Sequence, residues 1–418
     1  MSDIDQSMKK IVSLCLALLL LSAVLTSCMG ITGKETITVW AAENVVEFTR
    51  QSCDRFLEEN PDLAEQFQIT VVAMSEGETA SQMQTDVEAG ADVYAFAQDQ
   101  LGRLIRAGAL SPLGGTYRVQ AEQENDPGAV SAATVGDTMY AYPLTADNGY
   151  MMYYDTSVIK DPTSLTAILS DADTAGKKFY MDIRNGWYIV SFFFGAGCHY
   201  TTEANEEGNI VRVDCDFNSA NGLKALKAMI ATARHSGFQQ STDFASQFNP
   251  TGGKAAAAVS GPWDAVTIRS FLGDHYGVAP LPYMDFTGDP AQMSTWSGYK
   301  LMGVNPTQSE EAVKASHRLA AYLTSGAVQL ERYLAAGWGP ANIAAKASDE
   351  VQNDKALTAL QIQMATSPSQ PQCSNNFWTK LGALGSDVDA GTYDSYTDAQ
   401  LQAVLDDLTE YLKNDVVS

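Results

Sequence analysis

The residues able to do chemistry are few, and their spacing is the first thing to weigh. The four histidines, His199, His235, His275 and His317, lie far apart, with no HExxH and no CxxC, so no metal site is expected. No GxSxG, P-loop or GxGxxG occurs, which argues against acyl transfer and against phosphate or dinucleotide binding. What remains is carboxylates, amides and aromatic rings. Asp99 stands three residues after Phe96, close to one helical turn on. Asp147 follows an extended segment in which Pro143 keeps Tyr142 out of the helical region. Trp263 follows Gly261-Pro262, where proline presets a helix start, so the ring is expected at a strand-to-helix turn. Carboxylates and rings of this kind bind hydroxyls and apolar faces more readily than they cut bonds.

A second signal lies at the front of the chain. Lys9 and Lys10 precede an almost unbroken apolar run, residues 11–21, and small residues lead to Leu25-Thr26-Ser27-Cys28. The run is too short to span a bilayer and has the layout of an export signal. A cysteine at its end resembles a bacterial lipobox. In that class of signal residues 1–27 are removed and Cys28 is lipidated, so the protein would be held at the outer face of a membrane, with residues 28–34 as a linker. Met8, ahead of Lys9-Lys10, is an alternative start to Met1.

The charge balance narrows the partners. Lys and Arg number 26 against 50 Asp and Glu, a net charge of −24, which repels phosphate backbones and argues against nucleic acid. Of six cysteines, Cys15 and Cys28 belong to the signal. Cys198 and Cys215 flank a polar stretch with Gly208 that reads as a hairpin turn. They are open to two readings, a bridge across the hairpin or free thiols, and Cys53 and Cys373 are left with the same choice.

The elements that must position these groups follow from periodicity. Residues 37–40 and 68–74 read as strands, with a helix-spaced stretch, 45–60, between them that Pro61 stops. Strand, helix and strand make a βαβ unit and a parallel sheet. Residues 92–95 form a third strand, and a second α/β pattern begins after residue 145, with strands at 178–182 and 255–259 and an amphipathic helix over 218–235. The length from Cys28 onward requires two cores. The last helix carries Leu401, Val404, Leu405, Leu408 and Leu412 on one stripe, as a core-facing helix does.

Several blocks in order resemble one family. They include residues 92–99, 108–113, Tyr142-Pro143-Leu144, 151–155, 253–258 with Ser260-Gly261-Pro262-Trp263, 276–282, and Asn376-Phe377-Trp378. The set is similar to the extracellular solute-binding proteins of carbohydrate ABC importers, most closely the maltose/maltodextrin-binding branch, and covers nearly all of residues 37–413. The resemblance implies an α/β, two-lobed periplasmic-binding (Venus flytrap) fold with about three hinge crossings. Residues 35–145 plus 283–324 are expected in the first lobe, and 149–278 plus 327–418 in the second. It implies a monomer that closes on an oligosaccharide and delivers it to membrane permease subunits, with no cofactor and no catalysis.

It also implies site residues. Asp99 matches a sugar-binding aspartate, Trp378 a stacking tryptophan, and Phe96 stands where the family has another tryptophan. Trp187 or Tyr188 stands where a stacking tyrosine is placed. Asp147 matches a glutamate. Trp40, Glu43 and Asn44 follow the first strand, where an Asp-Lys pair contacts sugar, although the lysine position is Val45 here. Gln100 and Gly382 replace family arginines, so the pocket is expected to lack basic groups. Two other readings stay open: a binder of another neutral solute such as a polyol, and a surface glycosidase using Asp99 and Asp147 as acid and base.

Overall fold

The computed structural model describes residues 33–285 and 290–416. The lipidation expected at Cys28 therefore lies outside the described residues. The chain opens with β1 (Glu35–Ala41), α1 (Val46–Glu59), β2 (Phe67–Ala73), β3 (Val93–Ala97), α2 (Leu101–Arg106) and β4 (Tyr142–Thr145). It continues through β5 (Met151–Asp155), β6 (Lys178–Met181), α3 (Gly186–Gly195), the hairpin β7 (Tyr200–Ala204) and β8 (Ile210–Cys215), and α4 (Ala220–Arg234). Then come β9 (Phe238–Gln240), β10 (Ala255–Ser260), α5 (Ala265–Leu272), β11 (Tyr276–Ala279) and β12 (Lys300–Val304). Helices complete it: α6 (Glu310–Leu323), α7 (Gly326–Ala336), α8 (Lys355–Met364), α9 (Asn375–Ala390) and α10 (Asp398–Lys413).

Two five-stranded sheets organise two cores. The first has the order β2-β1-β3-β12-β4, with β1 parallel to β2 and β3, and β12 antiparallel to both its neighbours. The second has the order β9-β6-β10-β5-β11, with β6 parallel to β9 and β10, and β5 antiparallel to β10 and β11. The parallel strands are apolar along their length because helices cover both faces: Val93 to Phe96 and Ala255 to Val259 are all buried. This is the two-lobed α/β fold expected from the sequence.

The chain crosses between the cores three times, at places the sequence marked only in part. The first crossing runs from Thr145 in β4 to Tyr150 ahead of β5. The second falls later than residue 283. Met284, Met293 and Trp296 bury in the second core, and Tyr283 pairs with Gln292 there, so the chain re-enters the first sheet only at Lys300. The third is also later than residue 327. Ala336 and Trp338 pack in the first core, while Ala356, Ala359 and Leu360 on α8 pack in the second. Short two-residue strands and a helix end give weak periodic signals, and tertiary burial decided both boundaries.

All four cysteines of the described chain are free and buried. In the hairpin, Cys215 stands opposite Tyr200, and Cys198 lies before the first paired residue, with Sγ 3.7 Å from the Ser219 hydroxyl. The bridge across the hairpin is absent.

Candidate functional site

The two lobes enclose a cavity of about 860 Å³. Four tryptophans line it: Trp187, Trp263, Trp338 and Trp378. Each is set by local structure. Asn185 caps α3 by accepting the Trp187 N–H at 2.9 Å, which fixes the turn that carries Trp187 and Tyr188. Ser374 caps α9 by accepting the Phe377 N–H at 3.0 Å, one residue before Trp378. Pro262 occupies the first helical position after β10 and directs Trp263 into the cavity. The Trp263 ring folds back over Gly261 so closely that an added Cβ would sit 2.1 Å from it, so only glycine fits there. Trp187 and Trp378 stand 6.1 Å apart between centroids, a tilted pair that forms one wall.

Asp99 is the central carboxylate. It is only 4% exposed, and its Oδ2 accepts the Trp378 indole N–H at 3.3 Å. Burial pushes its carboxyl up to about 6, opposed by the Arg103 charge and the Trp378 hydrogen bond. Arg103 itself hydrogen-bonds the side chain of Asn375, the first residue of α9. Gln98 donates to the Gln370 carbonyl at 2.6 Å, and Asn148 donates to the Gln370 side chain at 3.1 Å. These bonds tie the first-lobe turn holding Asp99 to second-lobe segments. Gln100, in the place of a family arginine, accepts the Ala80 N–H at 2.8 Å and donates to the Glu76 carbonyl, so its amide shapes the loop before the short helix Thr79–Thr85.

Of the residues expected at the site, Glu43, Asn44, Asp99, Trp187, Tyr188, Trp263 and Trp378 line the cavity. Both Trp187 and Tyr188 line it. Three do not. Phe96 is fully buried because β3 is a central strand, and it packs 6.0 Å from Tyr94. Trp40 lies half-buried on β1, 6.4 Å from Tyr94, while the turn after Ala41 carries Glu43 and Asn44 to the cavity instead. Asp147 is buried behind the wall, where its Oδ2 accepts the Gly339 N–H at 2.6 Å. Burial raises its pKa, opposed first by the Lys300 charge. Asp99 and Asp147 therefore do not face one ligand as an acid and base would.

Sequence reading missed Trp338 and the pair of Glu76 and Lys300. Trp338 is flanked by Gly337 and by Gly339-Pro340, the same turn-bounded setting as Trp263, and that was the signal available. Lys300 is the lone cation in an otherwise apolar strand, and it overturns the expectation of a pocket without basic groups. Its Nζ lies 3.1 Å from Glu76 Oε1, 3.8 Å from the Trp338 ring centre and 5.2 Å from that of Trp263. With both side chains nearly buried, the ion pair is held by its geometry and by the aromatic faces around it.

Among the described residues, no group of three or more His, Cys, Asp and Glu is placed to hold a metal, and no helix is long and apolar enough to cross a membrane. The arrangement can grip a ring-shaped, hydroxyl-rich molecule between aromatic faces and fixed polar groups.

Comparison with known proteins agrees with this architecture. The family model for bacterial extracellular solute-binding proteins matches residues 51–359. A maltooligosaccharide ABC transporter solute-binding lipoprotein of Streptococcus pneumoniae strain R6 is 23% identical over 74% of each chain. The maltodextrin-binding protein MdxE of Bacillus subtilis strain 168 is 24% identical over 88% of each. The match to a maltotriose-binding protein of Pyrococcus abyssi, 23% identical, is partial: it takes in 51% of this chain and 46% of that protein's length. A solved structure with acarbose is 26% identical, with a TM-score of 0.79, covering 91% of this chain and 99% of its own. The unliganded maltodextrin-binding protein MalE1 of L. casei BL23, 24% identical with a TM-score of 0.73, covers 91% and 100% and shares the fold. With the family matched over well beyond half its length, this chain belongs to the bacterial extracellular solute-binding proteins.

Proposed function

We propose that the protein captures an oligosaccharide, a maltodextrin first, by closing its lobes, and hands it to the membrane subunits of an ABC importer. The observation that carries this reading is the cavity wall: four tryptophans beside carboxylates and amides, at the junction of two lobes. Sugar rings offer apolar faces that suit tryptophan and hydroxyls that need directed acceptors. A buried acceptor left unpaired costs about 1–3 kcal/mol, so the same groups set specificity. Glu43, Asn44, Asp99, Trp187, Tyr188, Trp263 and Trp378 hold the ligand, joined by Trp338. The names of the Streptococcus and Bacillus relatives support the ligand class and the transporter, and a galactooligosaccharide-binding relative in Bacillus subtilis keeps other oligosaccharides in view.

In this reading the protein acts as a monomer without cofactor, and it binds without cutting. Lipid on Cys28 tethers it near its permease at the outer face of the membrane, where two or three acyl chains hold firmly. Replacing Cys28 by Ala then releases the protein to the medium with its sugar affinity intact.

The test is tryptophan fluorescence with malto-, galacto- and xylo-oligosaccharides, followed by chromatography for products. A saturable change with the sugar recovered intact supports the reading. No change with any sugar, or cleavage of the sugar, refutes it.

A further inference from the structure

The charge on the cavity wall is lopsided. Glu43, Glu76, Glu78, Asp99 and Asp264 line it, against Lys300 as its one lining cation among the described residues. Lys300 is already matched, since its Nζ sits 3.1 Å from Glu76. No ion pair in the described chain takes up Glu43, Glu78, Asp99 or Asp264. A neutral sugar needs uncharged donors and acceptors, and amides such as Asn44, Asn148, Asn185 and Gln370, which carry both, already line the same space.

Of the carboxylates outside any ion pair, Asp99 is buried in the wall and Asp264 is partly buried. Asp99 is 4% exposed; from other residues its carboxylate takes one hydrogen bond, from Trp378 to Oδ2, and the nearby Arg103 charge offsets part of its own without forming an ion pair, so Oδ1 keeps room for a ligand donor. Asp264, in the turn that carries Trp263, accepts the Ser260 hydroxyl at 2.6 Å with Oδ2. Asp99 comes from the first lobe and Asp264 from the second, so a ligand between the lobes meets negative charge from both. Trp378 and Trp263 stand beside these carboxylates, and indole faces attract cations as well as sugar rings.

We infer that the site selects by ligand charge: it favours an oligosaccharide bearing a protonated amine over a neutral one, and rejects one bearing a carboxylate. This rests on the saccharide reading above and names the class of saccharide within it. A carboxylate on the ligand meets unmatched like charges in a partly dry site, where they are weakly screened. The overall charge of −24 adds to the repulsion of anions on approach. An ammonium group gains from the same field and supplies the donors that Asp99 Oδ1 lacks.

The experiment titrates the chain from Cys28 onward with three ligands of one shape by calorimetry at low salt. They are maltotriose, maltotriose with one primary hydroxymethyl carbon converted to aminomethyl, and maltotriose with that carbon oxidised to a carboxylate. The expected result is at least about tenfold tighter binding of the amine than of maltotriose, and at least about tenfold weaker binding of the carboxylate. The variant Glu43→Gln/Glu78→Gln, altered at two exposed positions, should shrink the ratio between amine and carboxylate. A loss of packing would weaken all three ligands together and leave that ratio unchanged. Maltotriose and the amine binding equally well overturns this inference while the saccharide reading stands. No binding of any of the three, while galacto- and xylo-oligosaccharides are also ignored, overturns both.

Discussion

Asp99 should cost the empty protein stability at neutral pH, and its replacement tests whether the carboxylate is there for a ligand. Burial lifts its carboxyl from 3.8 to about 6. The group is almost fully buried, so solvent screens the effect little. A folded-state pKa above the unfolded value means that the native protein holds this proton more tightly than the unfolded chain does. The contribution is fully present below 3.8 and is lost as pH rises through about 6. The difference between the two values corresponds to about 3 kcal/mol against the ionised native state at neutral pH. Asp99→Asn keeps an oxygen for the Trp378 indole and removes the charge. The variant should therefore be more stable than the native protein by up to about 3 kcal/mol at pH 7.5, with the gain fading towards pH 4. Sugar affinity should fall at the same time, which is the usual exchange between stability and function at a site. Urea unfolding of both proteins across this pH range measures the first part and calorimetry the second. A variant no more stable than the native protein at pH 7.5, or one that binds sugar as well, would refute the reasoning.

Further outcomes follow from the same geometry. Trp378→Ala removes one face of the wall and the hydrogen bond to Asp99; oligosaccharide affinity should fall about tenfold or more, read by calorimetry. Lys300→Met leaves Glu76 nearly buried without its partner, lowering stability by about 3 kcal/mol in chemical denaturation, with Glu76→Gln added in the same chain restoring part of the loss. Gly208 has φ +77°, and a Cβ there would lie 2.6 Å from the Gly102 Cα of the opposite lobe. Gly208→Ala should thus cost more than the roughly 1–2 kcal/mol of left-handed strain alone, seen as a lowered melting temperature, and equal stability would show that the hairpin tip moves freely.

Local pattern made much of the fold legible. The βαβ start, the helix over α4 and the stripe on α10 all rest on periods that burial of one face enforces. Residues 283–285 and 290–299 were placed in the first lobe because Tyr283, Met284, Ala291 and Gln292 form only two-residue strands. Their place in the second lobe depends on the burial of Met293 and Trp296 against distant side chains. A turn signal, Gly261-Pro262, pointed to Trp263, whereas Trp187 was expected only through the family resemblance and Trp338, in a similar glycine-bounded turn, was passed over. Phe96 was misread, since a run of buried residues on a strand does not say which face meets a cavity. Lys300 and Glu76 stand 224 positions apart in the chain, so only the folded sheet brings them together.

The central claim is that one oligosaccharide is held between the lobes against the tryptophan wall. Its most direct test is a calorimetric titration of the chain from Cys28 onward with maltotriose, run in parallel with Trp263→Ala. The account predicts one site per chain, and at least about tenfold weaker binding once the ring is removed. Silence from the native protein towards maltotriose and the galacto- and xylo-oligosaccharides alike, or an unchanged affinity in the variant, would contradict it.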